Sequence, residues 1–219
     1  DRLNGEKGYC NCGAGIEISS VCKHKGEEPT IVGKKGICNV FFTHCNLQCV
    51  YCQNKQISRN GIPAKNPFIS FDELIQKIES VLSESENVIG FVSPTHHIPL
   101  MKAIIRTLNQ KSLHPKTVYN TNAYDSCKQL KKLESIIDVY LPDYKYAESE
   151  LAVKFSHAKD YPERAMEAVN EMVRQTGMPK FDADGYMKCG TIVRHLILPG
   201  HTGNSKKVLK LLHEIFGNQ

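Results

Sequence analysis

The sequence predicts an α/β fold built on a parallel sheet, and three observations carry that expectation. Short apolar runs rich in β-formers alternate five times with segments of helical period, which is the pattern of successive βαβ units. A chain of 219 residues is long enough for one domain with a substantial core. A polar cluster follows each apolar run, as expected where a site forms at the carboxyl ends of parallel strands. Right-handed crossovers would wind such a sheet flat or curl it into a barrel.

Residues 1–36 are rich in Gly, Glu and Lys and weakly periodic, and read as an irregular N-terminal segment. The segment carries Cys10, Cys12 and Cys22. Cys10-x-Cys12 is too tight for a zinc knuckle, and no paired Cys or His follows at the right distance. Cys10 therefore reads as a free thiol or as one ligand of a second N-terminal metal site, and Cys12 and Cys22 as structural. The main domain spans 37–219. Residues 37–42 form its first strand, in which Cys38 reads as a small core hydrophobe. Ser70-x-x-Glu73 is a capping box that opens a helix, with Leu74, Ile78, Val81 and Leu82 at helical spacing. A second strand covers 87–92. A helix follows over 98–110, with Pro99 tolerated in its first turn. The third strand covers 117–121, a third helix 126–137, and a fourth strand begins at 139–141. Residues 148–177 hold two helical stretches. The run 182–185 reads as a turn, too short for a calcium loop. A fifth strand is expected over 190–198 and a closing amphipathic helix over 204–216.

A hydrophobic fraction of 41% and a charged fraction of 23% are those of a globular protein. The net charge of +5 is spread over scattered Lys residues, so a nucleic-acid partner is not expected. No apolar run approaches the ~20 residues that a membrane helix needs. Nine Cys in a chain of this size suggest either disulfides or metal. Three of them crowd into His44–Asn54, which argues for metal in a reducing cytoplasm.

Those three, Cys45, Cys49 and Cys52, are spaced three and then two residues apart. Thiolates are soft ligands and suit iron–sulfur or zinc. Zinc would need a fourth protein ligand, for which Cys38 and His44 are the candidates. An iron–sulfur cube would leave one iron open. The other strand-end clusters are Ser93-Pro94-Thr95-His96-His97, Asn120-Thr121-Asn122, Asp143-Tyr144-Lys145 and Pro199-Gly200-His201. His96 and His97, being adjacent, would point apart on a strand and are not expected to share a metal. Asp143 and Lys145 read equally well as a neighbouring salt bridge.

The Cys-x3-Cys-x2-Cys loop with Tyr51 before its last Cys resembles the cluster loop of radical S-adenosylmethionine (radical SAM) enzymes. The run Asn39–Leu47 with Tyr51-Cys52-Gln53-Asn54 resembles the subgroup related to pyruvate formate-lyase activating enzyme. Asp1–Cys10 and His24-x-Gly26-Glu27-Glu28-Pro29 resemble the same subgroup, in which further Cys residues usually precede this point. The resemblance implies a partial (β/α)6 TIM-like barrel, with a sixth strand expected after Gln219. It implies a [4Fe-4S] cluster on Cys45, Cys49 and Cys52, whose open iron chelates S-adenosylmethionine. Reductive cleavage would release a 5′-deoxyadenosyl radical that abstracts hydrogen. Tyr51 would pack near the adenine. Thr95 stands where the family's amino-group site lies, although Ser93-Pro94-Thr95-His96 departs from its Gly-Gly-Glu-Pro. Asn120 and Thr121 resemble the ribose and carboxylate side, with Asn for the family's Asp. Asp143 and Lys145 resemble an Asp-Leu-Lys segment, and Arg194 a strand whose Arg would pair with the cofactor carboxylate. The expected partners are a large glycyl radical enzyme as protein substrate and a flavodoxin- or ferredoxin-like electron donor. The alternatives are radical chemistry on another protein or a small molecule, or a non-catalytic iron–sulfur or zinc-binding module.

Overall fold

Apolar runs of β-branched and aromatic residues form the middle of one seven-stranded sheet. In the computed structural model, which describes residues 2–63 and 70–217, the strands are β1 (Ile18–His24), β2 (Ile37–Phe42), β3 (Val88–Val92), β4 (Lys116–Thr121), β5 (Val139–Pro142), β6 (Lys180–Phe181) and β7 (Met187–Thr191). Their order across the sheet is β1-β2-β3-β4-β5-β7-β6. Neighbours from β2 to β7 are parallel, and the edge strands β1 and β6 are antiparallel to β2 and β7. The fold is therefore α/β with a mostly parallel sheet. β5 is buried at every residue and β3 at all but its last, as parallel strands covered by helices require.

The helices are α1 (Lys55–Ser58), α2 (Phe71–Ser83), α3 (Ile98–Gln110), α4 (Cys127–Leu130), α5 (Ser149–Ser156), α6 (Tyr161–Thr176) and α7 (Thr202–Phe216). The Ser70 hydroxyl accepts from the Glu73 amide at 3.1 Å, which caps α2. Leu74, Ile75, Ile78, Val81 and Leu82 then turn one buried face toward the sheet. α3 carries Pro99 in its first turn and buries Met101, Ile104, Ile105 and Leu108 in the same core.

Three expectations are corrected. Residues 1–36 are not wholly irregular, because β1 pairs with β2 along the sheet edge. The third helix does not run to 137. It ends at Leu130, a 3-10 turn covers Lys131–Leu133, and Ser135 is left-handed with φ 62°. Lys128 faces Lys131 and Lys132 at helical spacing, a repulsion that works against a longer helix. The last parallel strand covers Met187–Thr191 rather than 190–198. Beyond it the chain stays hydrogen-bonded to β5 through Ile192 N–H to the Tyr140 carbonyl (3.0 Å) and Arg194 N–H to the Pro142 carbonyl (2.9 Å). Pro142 has no N–H to return, and past Arg194 the side chains of Leu196 and Ile197 stand in solvent. Gly190 has φ +133° and lies against Pro179, where an added Cβ would meet the Pro179 Cα at 2.6 Å.

Candidate active site

Parallel strands deliver all their carboxyl ends to one side of the sheet. The segments that follow β2, β3, β4, β5 and β7 line a single cavity of about 500 Å³ there. The cluster loop contributes Cys45, Cys49, Tyr51 and Cys52, β3 ends in Ser93, and β4 in Asn120, Thr121 and Asn122. Asp143 and Lys145 follow β5, and Arg194 follows β7. The cluster loop is held from outside. The His44 amide donates to the Ile57 carbonyl at 2.6 Å, and the Cys45 amide to Asn60 Oδ1 at 3.2 Å. Gln48 Nε2 donates to the Ser58 carbonyl at 3.0 Å. α1 thus folds back as a brace under the thiols.

Each thiol is met by a donor. Cys45 Sγ receives the Leu47 amide and Asn122 Nδ2, both at 3.4 Å. Ser156 Oγ donates to Cys49 Sγ at 2.9 Å, and Ser58 Oγ lies 3.2 Å from Cys52 Sγ. Burial pushes the Cys45 thiol up to about 12, and burial raises Cys49 as well. Bare thiolates are therefore disfavoured here, and a bound positive centre is what stabilises them. A lone tetrahedral zinc would need a fourth protein ligand beside the three thiols. Three thiols with N–H and O–H donors aimed at sulfur fit an iron–sulfur cluster, which leaves one iron open. Neither candidate for a fourth ligand joins them. Cys38 Sγ lies in the core, 4.0 Å from the Ile78 carbonyl on α2, and His44 groups with Cys12 and Glu17.

The far wall is an ion-pair network. Arg194 Nε donates to Asp143 Oδ1 at 2.9 Å and Arg194 Nη2 to Asn120 Oδ1 at 2.7 Å. Arg194 Nη1 is 3.4 Å from Glu27, and Lys145 Nζ donates to Asp143 Oδ2 at 2.9 Å. The Asp143–Lys145 salt bridge is formed. The Arg194 charge already has protein carboxylates as partners, and needs no ligand to be tolerated. Burial alone would raise Asp143, but the Lys145 ammonium and the Arg194 guanidinium override it and hold the carboxyl below its usual value. The same network carries Lys145 the other way: burial would lower it, and Asp143 raises it.

The remaining expected residues divide. The Tyr51 hydroxyl pairs with that of Tyr146 at 2.5 Å, with its ring on the cavity and edge-on to Phe155. Thr121 lines the cavity, but its hydroxyl donates to the buried Asp125 at 2.5 Å. Thr95 bonds Thr121 at 3.2 Å behind that wall, and Ser93 occupies the rim in its place, with φ 54°. His96 and His97 do not point apart. They lie in the turn before α3 with ring centroids 4.6 Å apart. A turn does not alternate its side chains as a strand does, so the strand argument failed there.

Sequence reasoning missed Asn122 and Ser156 as donors to sulfur, and Glu27 and Asn39 as cavity walls. Asn122 lay inside a cluster already singled out. Glu27 follows β1, a strand with no clear pattern. Asn39 stands on β2 opposite Gly90, where an added Cβ would lie 2.1 Å from Asn39 Oδ1. Ser156 is the last residue of α5, and no spacing connects it to Cys49.

Comparison with known proteins agrees with this geometry. The sequence profile of the radical SAM superfamily matches residues 39–212. The chain is also 29% identical over 204 residues to the uncharacterized protein MJ0674 of Methanocaldococcus jannaschii, an alignment covering 90% of this chain and 53% of that protein. The chain thus spans about half the length of the curated relative it matches.

Proposed function

The chain belongs to the radical SAM superfamily, and from that premise we propose that it is a hydrogen-abstracting activase that installs a glycyl radical on a large partner protein. Members of the superfamily use a [4Fe-4S] cluster and S-adenosylmethionine. When bound and reduced, that pair supplies a 5′-deoxyadenosyl radical. The observation that carries the reading is the convergence of five strand ends on the cavity beside three donor-supported thiols.

Each of this chain's residues then has a task. Cys45, Cys49 and Cys52 hold the cluster. Asn122 and Ser156 donate to the Cys45 and Cys49 sulfurs, which would steady their thiolate form and tune the potential of a bound cluster. Lys145 and Arg194, fixed by Asp143, present positive charge to the cofactor carboxylate. Glu27, which also reaches Arg194, and Asn39 beside it offer acceptor oxygens suited to the cofactor's ammonium; Asn39 Oδ1 is buried without a partner. Tyr51 offers a ring face to the adenine. Walls this polar orient the cofactor, and the surrounding apolar core excludes water.

In this reading the sheet is a partial (β/α)6 barrel, open on its β1 and β6 sides, and the protein works in a reducing cytoplasm with a flavodoxin- or ferredoxin-like electron donor. The choice of a protein substrate is supported by Leu196 on the cavity rim, 47% exposed, and Ile197 beside it, 63% exposed. Apolar side chains standing at a site mouth suit a docked macromolecule. The test is electron paramagnetic resonance on candidate glycyl radical enzymes after anaerobic incubation with the reduced protein and S-adenosylmethionine. A glycyl doublet on the partner supports the activase. 5′-Deoxyadenosine formed on a small molecule with no doublet on any partner assigns the chemistry to another substrate.

A further inference from the structure

We propose that the chain carries a second metal site, for zinc or another borderline divalent transition metal, formed by Cys12, His96 and His97. None of these three residues lines the cavity that the cluster thiols line. One donor atom from each of Cys12, His96 and His97 lies within 4.8 Å of the other two. A second, separate group joins Cys12 with His44 and Glu17.

The independent observation is a set of stranded nitrogens. His44 Nδ1, His96 Nδ1 and His97 Nε2 are all buried without a hydrogen-bond partner. His44 and His97 are each only 4% exposed. A buried polar atom left unpaired costs on the order of 1–3 kcal/mol, so the two on His96 and His97, which stand in one group with Cys12, call for a common partner. A metal ion bound to the Cys12 sulfur takes both lone pairs at once. Glu17 is otherwise engaged: its carboxylate accepts from the Gly13 amide and the Thr43 hydroxyl, both at 3.2 Å.

The supports around the site are those of ligating histidines. His96 Nε2 lies 2.8 Å from the Thr43 carbonyl, a bond that places the proton on Nε2 and leaves Nδ1 free as ligand. The His97 ring stacks on Phe42 at 5.6 Å and 11°, which fixes its plane. Zn–N of about 2.0 Å and Zn–S of about 2.3 Å put tetrahedral donors about 3.3–3.8 Å apart, so only a small closure is required. Two imidazoles and a thiolate select zinc-like metals over magnesium or calcium. Binding displaces the Cys12 thiol proton, so one proton leaves for each ion taken up. The Arg2 guanidinium, which binds the His96 carbonyl at 2.5 Å and Cys10 Sγ at 2.9 Å, disfavours a bare cation here. The Cys12 thiolate supplies the compensating charge, and imidazoles alone do not. Such an ion would tie the N-terminal segment to the turn before α3.

The test uses the full chain carrying Cys45→Ala, Cys49→Ala and Cys52→Ala, so that no cluster competes. It is titrated with Co2+ and then Zn2+. The expected result is one ion per chain, with a thiolate-to-cobalt charge-transfer band and the intense visible bands of a tetrahedral site. Adding Cys12→Ser should abolish the charge-transfer band. Adding His97→Gln should weaken binding at least about tenfold. Zn2+ should raise the melting temperature of the parent and of neither variant. Far-UV circular dichroism checks folding, and each of the two variants reports without the other. No bound cobalt, or a band unchanged by both substitutions, overturns the site.

Discussion

At the residue scale the site depends on small donors placed against sulfur. Asn122 serves two partners, Cys45 Sγ and Asn46 Oδ1 at 2.8 Å, and Ser156 links Cys49 to the Tyr146 hydroxyl at 2.7 Å. Removing such outer partners typically costs about 10–100-fold in metal affinity or activity. Asn122→Ala and Ser156→Ala should each lose cluster occupancy or turnover in that range, read by iron content and by product rate, with their melting temperatures little changed. Asp143 is a different case, because it holds two cations. Its carboxyl is depressed in the folded protein, so it adds stability above its unfolded pKa of about 4, and that stability is lost as pH falls through the lower folded value. Asp143→Asn should lower stability at pH 7 by about 1–3 kcal/mol, since Lys145 is left nearly buried and unpaired. The variant should also flatten the acid limb of the stability curve in urea titrations below about pH 4. The strand-end residues were legible because each polar cluster interrupts an apolar run. Ser156 and Glu27 were not, since their roles arise from packing between segments far apart in sequence.

At the element scale, legibility followed burial. β2, β3 and β5 announce themselves because both faces are covered and their runs are nearly all apolar, and β4 because Thr, Val and Tyr are strong β-formers. β1 hides for the opposite reason. It is an edge strand with Cys22 and Lys23 exposed, and a bulge between Ile18 and Ser20 shifts its buried positions from Ile18 to Val21, which breaks a period of two. β6 is two exposed residues and leaves no pattern at all. The hairpin it makes with β7 depends on Gly190, whose φ of +133° and contact with Pro179 admit no side chain. Gly190→Ala should therefore destabilise the protein by about 1–3 kcal/mol, seen as a lower urea midpoint at unchanged slope. Because Arg194 hangs on the chain just beyond β7, the same change should also reduce affinity for the cofactor.

At the scale of the whole molecule, one parallel sheet gathers residues from Asn39 to Arg194 around a single cavity. Its polar side binds charge and its cluster loop carries the thiols. Among the described residues no helix is long and apolar enough to cross a membrane, and all nine cysteines are free thiols. The central claim is that the chain cleaves S-adenosylmethionine by radical chemistry. It is tested most directly by reconstituting the protein anaerobically with iron and sulfide, reducing it, adding S-adenosylmethionine and measuring 5′-deoxyadenosine, with Cys49→Ala alongside. The account predicts product from the native chain and a loss to background in the variant. A fully formed, reducible four-iron cluster that yields no 5′-deoxyadenosine, or equal product from Cys49→Ala, would contradict it.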